Sequence, residues 1–199
     1  MAEYPSTSSR RIAIACQGPG HLSWLYCQWV SQNTNQVKFV GTLKEAVRDA
    51  DVFIGVSAAK GLSFALDIPL ISVSTLQALA KQVKISNGVI IPMLDARRLE
   101  VYSAIFDANY NTLRNIEAQI IDAEAYSDYL NNGKVYFIGN GVEKTKSLIT
   151  HKNAIYIEDK LPSANEMGLI AHEKYKKNDI EDVAYFEPFY LKDFIVISS

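Results

Sequence analysis

Two cysteines in 199 residues, Cys16 and Cys27, are too few for a disulfide framework. They also stand too far apart for a zinc or redox pair, so the composition suits a reducing cytoplasm. Long apolar runs are missing as well. The longest, such as Val89 to Leu94, are interrupted and stop well short of the ~20 residues that cross a bilayer. Positive charge is not in excess: 20 Lys and Arg stand against 22 Asp and Glu, a net charge of −2 with a pI near 5.9. A surface that grips nucleic acid by itself needs clustered cations to neutralise phosphates, so any contact with RNA is expected to be indirect. The three histidines, His21, His151 and His172, are scattered and form no H-x-x-x-H or H-E-x-x-H pair, so no metal site is expected. The start, M-A-E-Y-P-S-T-S-S-R-R, carries Glu3 and no apolar core after a basic stretch. It lacks the form of a signal peptide, and residues 1 to 9 read as a loose tail.

What is present is core-forming material, 48% hydrophobic residues arranged in short alternating units. Arg11 to Cys16 reads as a strand, His21 to Ser31 as a helix and Val37 to Val40 as a strand. Thr42 and Glu45 form a capping box for a helix to about Ala50, and Asp51 to Val56 is β-rich. Ser57 is placed to cap a helix that ends before Ile68, because Pro69 disfavours helical geometry in the residue preceding it. Pro69 to Val73 follows as a strand, then Ser74 and Gln77 make a second capping box. Leu76, Leu79, Ala80 and Val83 fall on one helical face. Repeated strand and helix predict a mainly parallel sheet in this half.

The pattern changes at Gly88. Val89 to Asp95 and Glu100 to Asp107 predict an antiparallel hairpin, and Asn109 to Asn115 a polar turn. Asp122 is placed to cap a helix reaching Leu130, ended by Asn132-Gly133. A strand over Lys134 to Ile138, a helix over Val142 to Ile149 and a strand over Ala154 to Ile157 complete a further unit. Ser163 and Glu166 open a helix to about Lys177, and the aromatic segment from Val183 to Ile197, broken by Pro188, reads as extended. The lobe boundary falls near Ser86, giving residues 1–86 and 87–199.

Four motifs carry functional information. The helix entry is unusually rich in small residues: Gly55, Ser57, Ala58, Ala59, Gly61, Ser63 and Ala65. Small side chains let another helix approach closely, or fit the helix to its own sheet. D-A-R-R-L-E-V-Y, Asp95 to Tyr102, sets two arginines in a hairpin turn where one can pair with Asp95 or Glu100. F-I-G-N-G, Phe137 to Gly141, ends a strand with two glycines, suited either to turn geometry or to contact with phosphate. P-S-A-N-E and E-P-F-Y-L-K-D-F complete the set.

With I-G-V-S-A-A-K-G-L from Ile54, these motifs closely resemble the TsaB family of tRNA threonylcarbamoyladenosine biosynthesis proteins over residues 54–199. The resemblance implies an α/β, two-lobed actin-like and ribonuclease-H-like architecture whose last segment returns to the first lobe. It implies a non-catalytic accessory subunit that binds and stabilises TsaD. With TsaE, that complex transfers a threonylcarbamoyl group to the adenosine beside the anticodon of tRNA. It implies a partner interface on Ser57, Ala58, Gly61, Leu62 and Ala65, with a homodimer as a second possible assembly. No cofactor of the chain's own is implied, while a nucleotide at the TsaD interface stays open.

Residues 1–53 depart from the family, whose G-P-G-S-Y-T-G-L-R should lead directly into Ile54; here Gly18 to Gly20 stands about 33 residues upstream. Arg11 to Trp24 is similar instead to the oxyanion loop of patatin-like hydrolases, and Thr42 to Ser57 to part of the malic enzyme nucleotide-binding domain. The rival is therefore a serine hydrolase with Ser57 as nucleophile and backbone amides near Gly18 and Gly20 as oxyanion donors. Against it, Ala59 stands where the motif wants glycine.

Overall fold

The computed structural model of the chain describes residues 13–17, 56–96, 98–189 and 191. The expected helix at 21–31, strand at 37–40 and capped helix from Thr42 lie outside the described residues, as do Gly18, Gly20 and the segment 192–199.

β1 (Ala13–Gln17) and β2 (Leu70–Ser74) pair in parallel, Ala13 opposite Leu70 and Gln17 opposite Ser74. Between them in sequence runs α1 (Val56–Leu66). Alternation along β2 gives each face its own layer: Leu70 packs with Ala59 of α1, whereas Ile71 and Val73 pack with Met167, Ile170 and Ala171 of α5 (Ala164–Lys176). The last described segment returns to β2 as the family implies. The Glu181 N–H donates to the Leu70 carbonyl at 2.8 Å, Lys174 Nζ donates to the Ser72 carbonyl at 3.0 Å, and the Ser72 hydroxyl bonds the Glu181 carboxylate.

The larger sheet has five strands, in the order Thr112–Ile120 (β5), Glu100–Asp107 (β4), Val89–Asp95 (β3), Val135–Ile138 (β6) and Ala154–Ile157 (β7). β3 (Val89–Asp95) and β4 (Glu100–Asp107) form the predicted hairpin at the predicted residues. β6 (Val135–Ile138) and β7 (Ala154–Ile157) run parallel to β3, each joined by a short helix, α3 (Ser127–Asn132) before β6 and α4 (Val142–Leu148) after it. One face of β3 sends Ile90 and Leu94 to α2 (Thr75–Ala80), where Leu76, Leu79 and Ala80 are buried together as their spacing predicts; Val83 joins the same cluster from the turn after the helix, which stops three residues short of it. The opposite face sends Ile91 and Met93 into a second cluster with Val101, Phe137 and Ile149. Ser74 caps α2 as expected, its hydroxyl accepting the Gln77 N–H at 3.4 Å.

Three expectations need correction. Thr112–Ile120 is a strand, β5, so the polar turn predicted over Asn109 to Asn115 is confined to the few residues after Asp107. There the Asn111 side-chain amide, donating to the Asp107 carboxylate at 2.8 Å, holds the Asp107 pKa below its usual value, helped by the Asn111 and Asn109 N–H groups at 2.8 Å each. The helix assigned to an Asp122 cap begins only at Ser127. Asp122 instead accepts the Glu124 N–H in a tight turn at 3.0 Å, and Tyr126 stands left-handed at φ +64° before the helix. Tyr126 is held there by tertiary contacts: its ring packs 5.6 Å from that of Phe137 and its hydroxyl lies 2.8 Å from Ser103 Oγ. Burial raises the Tyr126 pKa, partly opposed by Ser103 and Arg114, so the phenol stays protonated. At α5, Ser163 is the cap residue, but its hydroxyl bonds the Glu166 carboxylate in place of a backbone amide.

Candidate partner interface

α1 is described from Val56, which packs against the Ala59 and Leu70 cluster. Ser57 is therefore inside the helix and is not its cap. The helix ends in a Schellman-type turn: Asp67 is left-handed at φ +51°, and the Ile68 N–H reaches back to the Ser63 carbonyl at 3.1 Å. Lys60 Nζ donates to the Phe186 carbonyl at 2.6 Å, tying the helix to the returning chain.

Ala59, Leu62 and Ser63 form the buried side of α1. Ser57, Ala58, Gly61 and Ala65 are exposed on the other side. Leu62 is 9% exposed and faces inward, so it supports the helix from below and does not belong to the outward face. The side chain missed by sequence reasoning is Phe64, 84% exposed and three residues beyond Gly61. Its signal lies in the heptad-like spacing of Ser57, Gly61, Phe64 and Ala65, which puts Phe64 on the same helical face. The outward face is thus a row of small residues with one large aromatic at its C-terminal end. Gly61 is the informative member: beyond the helix's own backbone no described atom lies within 4 Å of where its Cβ would be, so the described residues give no steric reason to exclude alanine. Glycine inside a helix costs about 1 kcal/mol relative to alanine.

Among the described residues, no histidine hydrogen-bonds to Ser57; His151 Nδ1 accepts the Asn153 N–H at 3.2 Å. The backbone amides proposed for an oxyanion site, at Gly18 and Gly20, lie outside the described residues. No group of three His, Cys, Asp or Glu among the described residues is arranged to hold a metal, and no described helix is long and apolar enough to cross a membrane.

The D-A-R-R-L-E-V-Y hairpin receives a cation from elsewhere in the chain. Lys144 of α4 places Nζ 2.5 Å from Asp95 Oδ1 and also donates to the Arg98 and Glu100 carbonyls. Arg97 lies outside the described residues. Replacing Lys144 by alanine leaves three oxygens without this donor, and the expected loss is about 1–2 kcal/mol, discounted for partial exposure of the pair. Urea unfolding of Lys144→Ala checks it, and an unchanged midpoint would show that water replaces the lysine at no cost.

Near this hairpin, a groove of about 580 Å³ opens at the carboxyl ends of β6 and β7, lined by Gly139, Asn140, Glu143, Glu158, Asp159 and Lys160. Asn140 Oδ1 accepts the Asp95 N–H at 3.0 Å, so the F-I-G-N-G loop is bonded to the end of β3.

A family model described as "TsaD: tRNA N6-adenosine threonylcarbamoyltransferase" matches residues 51–196. Among characterised relatives, the tRNA threonylcarbamoyladenosine biosynthesis protein TsaB of Bacillus subtilis (strain 168) is 40% identical over 65 residues, 33% of this chain and 28% of that protein. The TsaB of Escherichia coli (strain K12) is 27% identical over 150 residues, covering 71% of this chain and 65% of its own. The chain thus spans less than two thirds of the length of either. Two solved Pseudomonas aeruginosa structures share the fold: YeaZ, with TM-score 0.58 and 20% identity, and a protein with similarity to peptidase YEAZ, with TM-score 0.59 and 19% identity. Each alignment covers 77% of this chain and 70% of the other. The architecture is the actin-like, ribonuclease-H-like one. With the family model spanning residues 51–196 and the named relatives agreeing on one branch, the chain belongs to the TsaD family of threonylcarbamoyltransferase-related proteins, within its TsaB group.

Proposed function

We propose that this chain serves threonylcarbamoyladenosine formation on tRNA as a non-catalytic accessory subunit that docks on a TsaD-type partner through the outward face of α1. The observation that carries this reading is Gly61. It is exposed in mid-helix, the described residues give no steric reason for it, and flanking Ser57, Ala58 and Ala65 keep the same face low. A second helix crossing there would approach more closely than any larger side chain permits. Phe64, at the end of the row, supplies the aromatic anchor that small residues lack. In this reading the lobes 1–86 and 87–199 act as docking and supporting halves, and the chain carries no cofactor of its own. TsaE and tRNA join through TsaD, and the reaction proceeds in a cytoplasmic complex. A homodimer through the same face competes with the heterodimer.

The test separates the helix's own needs from the partner's. Gly61→Ala is expected to raise the stability of the isolated chain by about 1 kcal/mol while weakening binding to the matching TsaD-type protein roughly tenfold or more. Gly168 of α5, also free of described atoms within 4 Å of a Cβ, is the control: Gly168→Ala should stabilise equally and leave binding unchanged. Titration calorimetry with both variants reads the difference. If Gly61→Ala binds as tightly as the wild-type chain, α1 is not the docking face.

A further inference from the structure

The sequence contains three Asn-Gly steps, Asn87-Gly88, Asn132-Gly133 and Asn140-Gly141. Such steps share one chemical liability. The glycine nitrogen can attack the asparagine Cγ because no side chain on the following residue obstructs it. Local structure opposes the attack when it holds the side-chain amide away or engages the glycine N–H, which must lose its proton as the new bond forms. The three steps differ in these respects.

At Asn132-Gly133, the Asn132 side-chain NH₂ donates to the Asp128 carbonyl at 2.8 Å, and the Gly133 N–H closes the end of α3 on the Tyr129 carbonyl at 3.1 Å. At Asn140-Gly141, Asn140 Oδ1 accepts the Asp95 N–H at 3.0 Å, and the Gly141 N–H reaches the Met93 carbonyl at 3.3 Å. Both reacting groups are engaged in each case. Asn87 is exposed in the turn between α2 and β3, and among the described residues neither its side chain nor the Gly88 N–H has a hydrogen-bond partner. Gly88 is also set at φ +92°, with its Cα so close to the Lys134 carbonyl that a Cβ would stand 2.3 Å from that oxygen. The glycine that makes the step reactive is therefore fixed by the fold.

We propose that Asn87-Gly88 is a site of spontaneous deamidation to aspartate and isoaspartate, singled out from the three Asn-Gly steps by the fold. The Gly88 nitrogen bonds to Asn87 Cγ and gives up its proton, the Cγ–Nδ2 bond breaks, and Nδ2 departs as ammonia, leaving a five-membered succinimide. Solvent water then adds to one of the two ring carbonyls. Opening at one gives aspartate; opening at the other carries the main chain through the side-chain carbon and lengthens it by one methylene. Either product adds one negative charge to the connection from α2 to β3, and isoaspartate also shifts the geometry with which Gly88 meets Lys134.

The experiment is peptide mass mapping of the full chain during incubation at neutral pH and physiological temperature, with isoaspartate detected by enzymatic methyl labelling. In the folded chain, Asn87 should convert on the order of tenfold faster than Asn132 or Asn140, the ratio expected when two local hydrogen bonds must first open. In urea, where those bonds are gone, the three rates should converge. Asn87→Ser should remove the dominant product without creating another. Equal rates in the folded chain, or faster conversion at Asn132 or Asn140, would overturn the proposal. So would a preference for Asn87 that persists in urea, because the selection would then belong to the local sequence and not to the fold.

Discussion

Replacing Phe137 by alanine is expected to destabilise the chain by about 4 kcal/mol, the range for an aromatic side chain deleted from a closed core. Phe137 is fully buried on β6, the strand between β3 and β7. Its ring stacks on Tyr156 at 5.3 Å and 15° and meets Tyr126 at 5.6 Å and 59°. Each such pair contributes about 0.5–1.5 kcal/mol beyond the area it buries, so alanine loses two ring contacts as well as the transfer free energy. The cavity would be lined by ring faces and by Ile91, Val101 and Ile105, anchored on strands with backbone partners on both sides, and such walls relax poorly. In a chain of this size the corresponding fall in melting temperature is about 8–16 °C. Phe137→Leu keeps most of the volume and should cost about half as much. Thermal and urea unfolding of both variants decide the matter: a loss below about 1 kcal/mol for alanine would mean that the cluster collapses around the gap. Because α1 packs in a different cluster, with Leu70, Val183 and Phe186, the partner affinity of whatever fraction stays folded should be unchanged.

The parts of this fold legible in the sequence are those where local pattern and burial coincide. The hairpin at 89–95 and 100–107 could be read to the residue because each strand carries a buried apolar run bounded by polar turns. The inward face of α2 was legible because Leu76, Leu79 and Ala80, at helical spacing, are all buried against one sheet. β5 was not legible. Ile116, Ala118 and Ile120 do alternate with Glu117 and Gln119, but the strand opens on the largely polar Thr112 to Asn115, and none of its nine residues is fully buried, since it is the edge strand beyond β4. The start of α3 depends on Tyr126, whose left-handed backbone is set by contacts to Ser103 and Phe137 that no local window contains. Lys144 is 49 residues from Asp95, and nothing in either neighbourhood announces the pair. At α1 the small-residue spacing located the exposed positions, but the direction of Leu62 depends on the helix's rotation about its axis. That is fixed by Ala59 and Ser63 being drawn to the interior with it.

Gly139→Ala is the second large effect, and its sign bears on what the F-I-G-N-G loop is for. Gly139 sits at φ +117°, a region costly for any residue with a Cβ, and a Cβ there would stand 2.2 Å from the Met93 carbonyl oxygen. That oxygen belongs to β3, paired with β4 on one side and β6 on the other, and also accepts the Gly141 N–H at 3.3 Å, so it has little freedom to retreat. Backbone strain of about 1–3 kcal/mol and a forced shift of similar size together predict a loss of about 4 kcal/mol. Gly141→Ala meets only side chains, Val101 Cγ1 at 3.0 Å and Met93 Cβ and Cγ at 3.3 Å; Val101 Cγ1 and Met93 Cγ can yield by small rotations, and Met93 Cβ by a shift of a few tenths of an ångström. Its cost should be about 1 kcal/mol. Guanidinium unfolding of the two variants without any ligand tests the contrast. If these glycines were present to admit a phosphate, Gly139→Ala would leave the ligand-free chain as stable as wild type and act only on binding. A large loss in the absence of ligand assigns Gly139 to the joining of β6 with β3, and an undiminished midpoint would return the loop to the ligand reading.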